Sequence, residues 1–289
     1  LDREGKDMES FYILIILLIL YLFAIMPRIW GRPEKTPFMN VHYAHRGLHD
    51  NRSETPENSL AAFRKAVEAG YGIELDVQLT RDCIPVVFHD ETLRRMCRVC
   101  GNVRDYTYEE LREYSLRDSK EKIPLFVDVL KAVDGKVPLI VEVKAYENVT
   151  KVCEAVDAVL GEYQGAYCME SFHTLAIYWY RKKRPEILRG QLSSSFHKPG
   201  KNEPFPQWLV HHLLLNVLGR PDFIAYNYKF KHNISREICR YVFKALSVAY
   251  TIKSQEDLDK NKRDFDLFIF EGFEPGAPDN ENNIMKSDS

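Results

Sequence analysis

The chain has 289 residues, with 40 Lys or Arg against 42 Asp or Glu, a formal net charge of −2 and a pI of about 6.6. That balance gives no electrostatic case for nucleic acid or another polyanion as a partner, and the length suits one large α/β domain or two small ones. The six cysteines, at 83, 97, 100, 153, 168 and 239, are too sparse for a disulfide scaffold. Several lie inside apolar runs, so reduced, buried thiols are expected. Cys97 and Cys100 have redox or metal spacing, but with no second pair or flanking His they read as ordinary loop thiols.

After a flank over residues 1–10 that carries Asp7 and Glu9, residues 11–26 are unbroken apolar sequence. The run is slightly shorter than the roughly 20 residues of a spanning helix, and Pro27 to Trp30 can complete it at the interface. An acidic start and the lack of a small-residue cleavage pattern predict an uncleaved anchor over residues 11–30 rather than a signal peptide. No polar face marks it as a core helix. Arg28, Arg32 and Lys35 follow the run and Arg3 and Lys6 precede it, so the positive-inside bias predicts a single-pass protein of the cell membrane with its main domain in the cytoplasm. With Met8 as initiator the bias sharpens further. Residues 31–40, with prolines at 33 and 37, read as a linker.

The folded domain is predicted over residues 41–273. Its first strand, ending Ala44-His45-Arg46-Gly47, runs into a turn, and a helix follows with Asn58 as N-cap and Gly70 at its end. From residue 72 the sequence alternates. Ile73, Leu75 and Val77 face one way and Glu74 and Asp76 the other, about 7 Å apart along the chain. In a buried strand such a pair is costly unless a cation or donors satisfy it, and oxygen-only ligands favour Mg²⁺ or Ca²⁺. Between Thr80 and Pro85 there are too few residues for a parallel crossover, so a hairpin is expected, with His89 roughly opposite Asp76.

Residues 91–122 are polar and charged, with a capping box at Thr107 and Glu110, and read as an insertion above the sheet. A buried strand over 138–144 carries Glu142 and Lys144. Helices are then predicted over 150–163, 174–183, 235–246 and 255–264, alternating with strands over 166–171, 187–192, 222–226, 247–252 and 266–270. With the hairpin's return arm counted as an extra, this alternation predicts eight parallel strands and a TIM (β/α)8 barrel. Residues 206–218 form an apolar stretch interrupted by His211 and His212. It is expected to pack in the barrel shell, with membrane contact or a substrate lid as the alternatives. The polar tail over 274–289 is expected to be disordered.

Active sites of such barrels lie at the C-terminal ends of the strands. Those ends bring together His45, Arg46, Glu74, Asp76, His89, Glu142 and Lys144. A divalent ion on Glu74, Asp76 and Glu142 would polarise a phosphoryl oxygen. Arg46 and Lys144 would hold the remaining anionic charge, and His45 and His89 would serve as general base and acid. Taken singly, either histidine is more often structural, and Glu142 and Lys144 can simply pair with each other. Their joint placement at strand ends is what favours a phosphoester site.

In order, Ala44-His45-Arg46-Gly47, Pro56-Glu57-Asn58-Ser59, Ile73-Glu74-Leu75-Asp76-Val77, Pro85 through His89-Asp90, and Glu142-Val143-Lys144 resemble the glycerophosphodiester phosphodiesterase family, as does Ser171-Phe172. The resemblance covers about residues 41–272. It implies a TIM barrel with a small insertion and hydrolysis of glycerophosphodiesters to glycerol 3-phosphate and an alcohol. It also implies metal ligation at Glu74, Asp76 and Glu142, acid and base roles for His45 and His89, phosphate contacts for Arg46 and Lys144, and a supporting position for Glu57 behind them. Attack by a glycerol hydroxyl, giving a cyclic intermediate, and direct attack by water both remain open. Two family motifs depart, reading Tyr250-Thr251-Ile252-Lys253 and Ile269-Phe270-Glu271. Lying away from the metal set, they are expected to bear on the glycerol or alcohol pocket. Alternatives are a lysophospholipase D acting on membrane lysolipids, and a non-catalytic membrane-tethered phosphodiester-binding protein. The second is disfavoured because every acid, base and ligand position is filled.

Overall fold

The computed structural model describes residues 2–146, 148–197 and 203–276, with side chains from residue 7 onward. Most of the tail predicted as disordered, from residue 277 on, lies outside the described residues. The strands are β1 (His42–His45), β2 (Gly72–Leu79), β3 (Pro85–Val87), β4 (Leu139–Val143), β5 (Tyr167–Ser171), β6 (Arg189–Ser193), β7 (Phe223–Asn227), β8 (Leu246–Ile252) and β9 (Leu267–Phe270). All pair parallel to their neighbours except β3, which runs antiparallel to β2. Pairing of β1 with both β9 and β2 closes the sheet. The result is the eight-stranded parallel barrel expected from the alternation, with β3 as the extra arm.

Helices outside the sheet, among them Leu60–Glu68, Phe126–Val133, Val149–Leu160 and Thr174–Lys183, bury apolar residues against it, and this shell forms the largest core cluster. Inside the barrel a second cluster, with Tyr43, Ile140, Phe223 and Leu246, fills the end where the strands begin. The segment after β3 has a small core of its own, built from Phe88, Leu93, Met96, Leu111 and Leu116. That core explains how a polar stretch with only short helices keeps a defined shape. All six cysteines are free.

The first barrel helix, Leu60–Glu68, is capped by Ser59, whose hydroxyl accepts from the Ala62 N–H at 3.1 Å. Asn58, expected as the cap, instead takes a left-handed backbone with φ 56° and turns its side chain into the barrel. The hairpin is also one residue off the expected register. Val77 pairs with Val87, and the Phe88 N–H bonds the Asp76 carbonyl at 2.9 Å, so Phe88 lies opposite Asp76 and His89 comes two residues past the end of β3. A left-handed Cys83 (φ 64°) shapes the tight turn. The predicted helix over 206–218 divides into Phe205–His211 and Asn216–Gly219, broken at a buried Leu213 with φ 56°. Leu213 and Leu214 join the shell core while Phe205, Trp208 and Leu218 are exposed.

The N-terminal helix, Asp2–Ile25, contains a stretch, Asp7–Ile25, long and apolar enough to cross a membrane and almost wholly uncovered by the rest of the chain. It ends at Ile25, and Met26 to Trp30 turn beneath the barrel instead of lengthening it. There the Arg28 N–H bonds the Pro221 carbonyl at 2.9 Å, and the Arg28 side chain reaches the Pro185 carbonyl at 2.7 Å. The predicted linker continues as a strap across the barrel floor. Arg32 donates to the carbonyls of Phe243 and Lys244, and a buried Phe38 packs into the interior cluster while its carbonyl accepts from Tyr43. Truncating this plug should leave a cavity. Phe38→Ala is expected to cost about 3–5 kcal/mol, seen as a clearly lowered thermal midpoint, and an unchanged midpoint would show that the strap does not close the floor.

Candidate active site

Strand register sets the chemistry. Asp76 of β2 lies beside Glu142 of β4, which lies beside Glu170 of β5, and Glu74 of β2 lies beside His45 of β1. All four carboxylates are buried. Glu74, Asp76 and Glu142 each offer an oxygen within 4.8 Å of the others. The Lys144 ammonium sits 2.7 Å from Glu142 and 3.0 Å from Asp76, so the pairing expected as the bland alternative exists, but within the larger cluster.

Electrostatics distinguish the carboxylates. Burial, reinforced by the neighbouring charges of Asp76, Glu142 and Glu170, pushes Glu74 well above the usual carboxylate range. Burial also raises Glu142, against the pull of Lys144. Burial works against Asp76 as well, but Lys144, His89 and Arg46, with a 2.8 Å bond from Asn58, hold it well below its ordinary value. Glu170 is pushed well above by burial and by Glu142, and its Oε2 has no hydrogen-bond partner. The cluster is therefore short of positive charge. An oxygen-only donor set with buried, crowded carboxylates fits a hard divalent cation.

Around this centre the predicted residues are held by partners, several of which sequence reasoning missed. Arg46 takes a left-handed backbone (φ 57°) just before Gly47, where a Cβ would lie 2.9 Å from the Ala62 carbonyl carbon. The turn aims the Arg46 N–H at Glu74, at 3.1 Å, and its guanidinium at Glu57, at 2.6 Å, with Asp76 3.4 Å away. Glu57 also receives two bonds from Arg95 of the insertion, which in turn grips Asp90. Asp90 Oδ1 lies 2.7 Å from His89 Nδ1, and the Tyr146 hydroxyl bonds the His89 carbonyl.

On the far side, His45 Nδ1 lies 3.0 Å from Glu271 Oε2, and its Nε2 is 3.9 Å from Glu74. The motif ending at Glu271 is expected from the sequence to bear on the glycerol or alcohol pocket; barrel closure between β9 and β1 brings Glu271 onto His45. Burial holds the His45 imidazole down at about 4, despite the opposing pull of Glu271. The bond from His45 is the main reason Glu271 stays near 2. With Nδ1–H donated to Glu271, Nε2 carries the free lone pair on the side of the carboxylates. Tyr250, in the other departing motif, bonds the Ser193 carbonyl at 2.7 Å and packs edge-on to Phe172.

The comparison that decides the family is a match of residues 45–195 to the model of the glycerophosphoryl diester phosphodiesterase family. The chain belongs to that family. A glycerophosphodiester phosphodiesterase of Bacillus altitudinis is 33% identical over 174 residues, 56% of this chain and 70% of that protein. The Bacillus subtilis (strain 168) protein YhdW is 35% identical over 153 residues, 50% of this chain and 62% of its own length. The human lysophospholipase D GDPD1 is 32% identical over 151 residues, 47% of each chain. These last two matches cover less than two thirds of the relatives' lengths. Among solved structures, the glycerophosphodiester phosphodiesterase of Thermotoga maritima aligns with a TM-score of 0.61 at 27% identity, over 80% of this chain and 94% of that one. An Oleispira antarctica phosphodiesterase, solved with sn-glycerol-3-phosphate, shares the fold, with a TM-score of 0.65 at 23% identity over 81% and 93%.

In this family member, Glu57 gives a pH test of the support behind the site. Burial opposes its ionisation, but the Arg95 hydrogen bonds and the Arg46 and Arg95 charges hold it at about 2, against an ordinary 4.5. A depressed carboxylate contributes stability that is present above its unfolded pKa and lost as pH falls through the folded one. Unfolding free energy should therefore drop by up to about 3 kcal/mol more between pH 5 and 2 in the native chain than in Glu57→Gln. Parallel pH profiles for the two would show that the Glu57–Arg95 contact does not matter.

Proposed function

We propose that the chain hydrolyses glycerophosphodiesters to glycerol 3-phosphate and an alcohol. Glu74, Asp76 and Glu142 are the residues we assign to a divalent cation, Mg²⁺ or Ca²⁺. Such an ion, when bound, would draw negative charge from a phosphoryl oxygen. The observation that carries the reading is the meeting of these three carboxylates with His45, whose ring is oriented by Glu271.

His45, kept neutral by burial, suits the base: Nε2 takes a proton from the attacking hydroxyl or water while Glu271 steadies the imidazolium that forms. His89, held through Nδ1 by Asp90, is left with the complementary role of proton donor to the departing alcohol. Arg46 and Lys144 set the positive edge of the site, and exchange some of their carboxylate contacts for phosphate oxygens when substrate binds. Glu57 orients Arg46 from behind.

The apolar N-terminal helix is read as a single-pass anchor with the barrel on the cytoplasmic side. Its last turn supports retention over cleavage. Ile25 is buried, and its carbonyl accepts from Asn216 at 2.8 Å, so removing the helix would strip a buried amide of its acceptor. A second reading, a lysophospholipase D, is favoured by a groove of about 410 Å³ beside the mouth, lined by Phe172, Leu175, Phe196, Val210 and Leu218. Turnover of glycerophosphocholine against lysophosphatidylcholine separates the two, since an acyl chain that abolishes turnover removes the second.

His45→Ala and His89→Ala should each lower kcat by about 10²–10⁴-fold while calorimetry still detects Mn²⁺ binding. Glu74→Gln should weaken the ion, with excess Mg²⁺ partly restoring release of glycerol 3-phosphate. Turnover that survives EDTA undiminished would contradict the ligand assignment.

A further inference from the structure

The way the N-terminal helix meets the barrel fixes which end of the barrel it leads to. Helix Ile234–Glu237 and the wide turn Ile238–Val242 that continues it descend from the C-terminal end of β7 to the start of β8. The N-terminal segment contacts this descending element at three levels in reverse order. Arg32 bonds the Phe243 carbonyl at the floor, the Ile25 carbonyl accepts from Cys239 halfway, and the Tyr21 hydroxyl meets Ser235 at 2.9 Å near the top. The apolar helix therefore climbs the side of the barrel from floor to rim, and residues 7–20 project beyond the rim where the carboxylates open.

Length then decides where a bilayer can lie. At 1.5 Å per residue, residues 7–20 extend about 21 Å, short of the roughly 30 Å of a hydrocarbon core. To span, the helix must draw the rim itself into the interface. The rim beside it has the surface for that position. Phe205, Trp208, Phe230 and Ile234 are exposed, and the Phe205 and Trp208 rings stack at 6.1 Å. Helix Phe205–His211 abuts this edge, since Asn233 donates to the His211 carbonyl and the Tyr226 hydroxyl does the same at 3.0 Å. Exposed aromatic side chains beside an apolar helix are what the interfacial belt of membrane proteins is made of.

We propose that this rim, formed by helix Phe205–His211 and residues 230–234, is seated in the bilayer interface beside the anchor, so that the mouth of the barrel faces lipid. The proposal rests on reading Asp7–Ile25 as a membrane span. It gives the groove at Phe172 and Phe196 a direct path from the lipid surface, and it puts Trp30, exposed on the floor, at the end of the molecule away from the membrane.

The full chain has three tryptophans, at 30, 179 and 208, so two double variants isolate the two ends. Trp30→Phe with Trp179→Phe leaves Trp208, and Trp179→Phe with Trp208→Phe leaves Trp30. Each is reconstituted in phosphatidylcholine vesicles brominated on the acyl chain, and flotation is scored separately from fluorescence. The expected result is that both variants float, Trp208 emission is strongly quenched, and Trp30 emission is not. Floating vesicles with Trp30 quenched and Trp208 untouched would overturn the orientation while leaving the anchor in place. Trp208 shielded from acrylamide yet unquenched by bromine would overturn it in favour of a protein contact. Failure to float would remove the anchor, and the orientation with it.

Discussion

The structure turns on the cost of burying carboxylates side by side. Parallel pairing puts Asp76, Glu142 and Glu170 on three adjacent strands at one level, with Glu74 two residues earlier on β2. Desolvation of so many like charges is expensive unless they are neutralised. Lys144 and Arg46 supply two positive charges, and their attraction is concentrated on Asp76, which alone of the four is held well below its ordinary pKa. Glu74, Glu142 and Glu170 are all raised. That imbalance is what supports the proposed cation, and Lys144 and Arg46 stand at the edge of the cluster.

The residues around the centre hold this geometry through two chains of contact. On one side Arg46 and Arg95 converge on Glu57, and Arg95 continues to Asp90 and so to His89. The insertion after β3 thus serves the site through Arg95, and its own small core keeps that arginine in place. On the other side Glu271, at the end of the last strand, orients His45 at the end of the first. In both histidines Nδ1 lies against a carboxylate, which leaves Nε2 for the roles proposed above. The His45–Glu271 contact exists only when the barrel is closed, so the geometry of the cluster depends on the β1–β9 seam.

Much of this was legible in the sequence because it is local. Alternation around Glu74 and Asp76 identifies a buried strand with inward carboxylates, and the recurring strand and helix spacing counts out the barrel. What was not legible depends on closure and on backbone handedness. Glu271 and His45 are 226 positions apart and meet only across the seam. Asn58 looked like a helix cap because Asn caps well. Its left-handed backbone, and a Ser at the next position able to do the capping, free it to bond Asp76. The hairpin register slipped by one because the turn residues do not announce where a left-handed residue will fall. Arg28 and Arg32 read as charges flanking an apolar run, yet both are spent on backbone carbonyls under the barrel. A count of charges cannot foresee this, since it carries no information about which carbonyls the fold leaves open.

The central claim, proposed above, is that Glu74, Asp76 and Glu142 together hold one divalent cation. Calorimetric titration of Mn²⁺ into the protein tests this directly. The account predicts one ion bound per chain and much weaker binding in Glu142→Gln. No binding, or an affinity unchanged by Glu142→Gln, would contradict it.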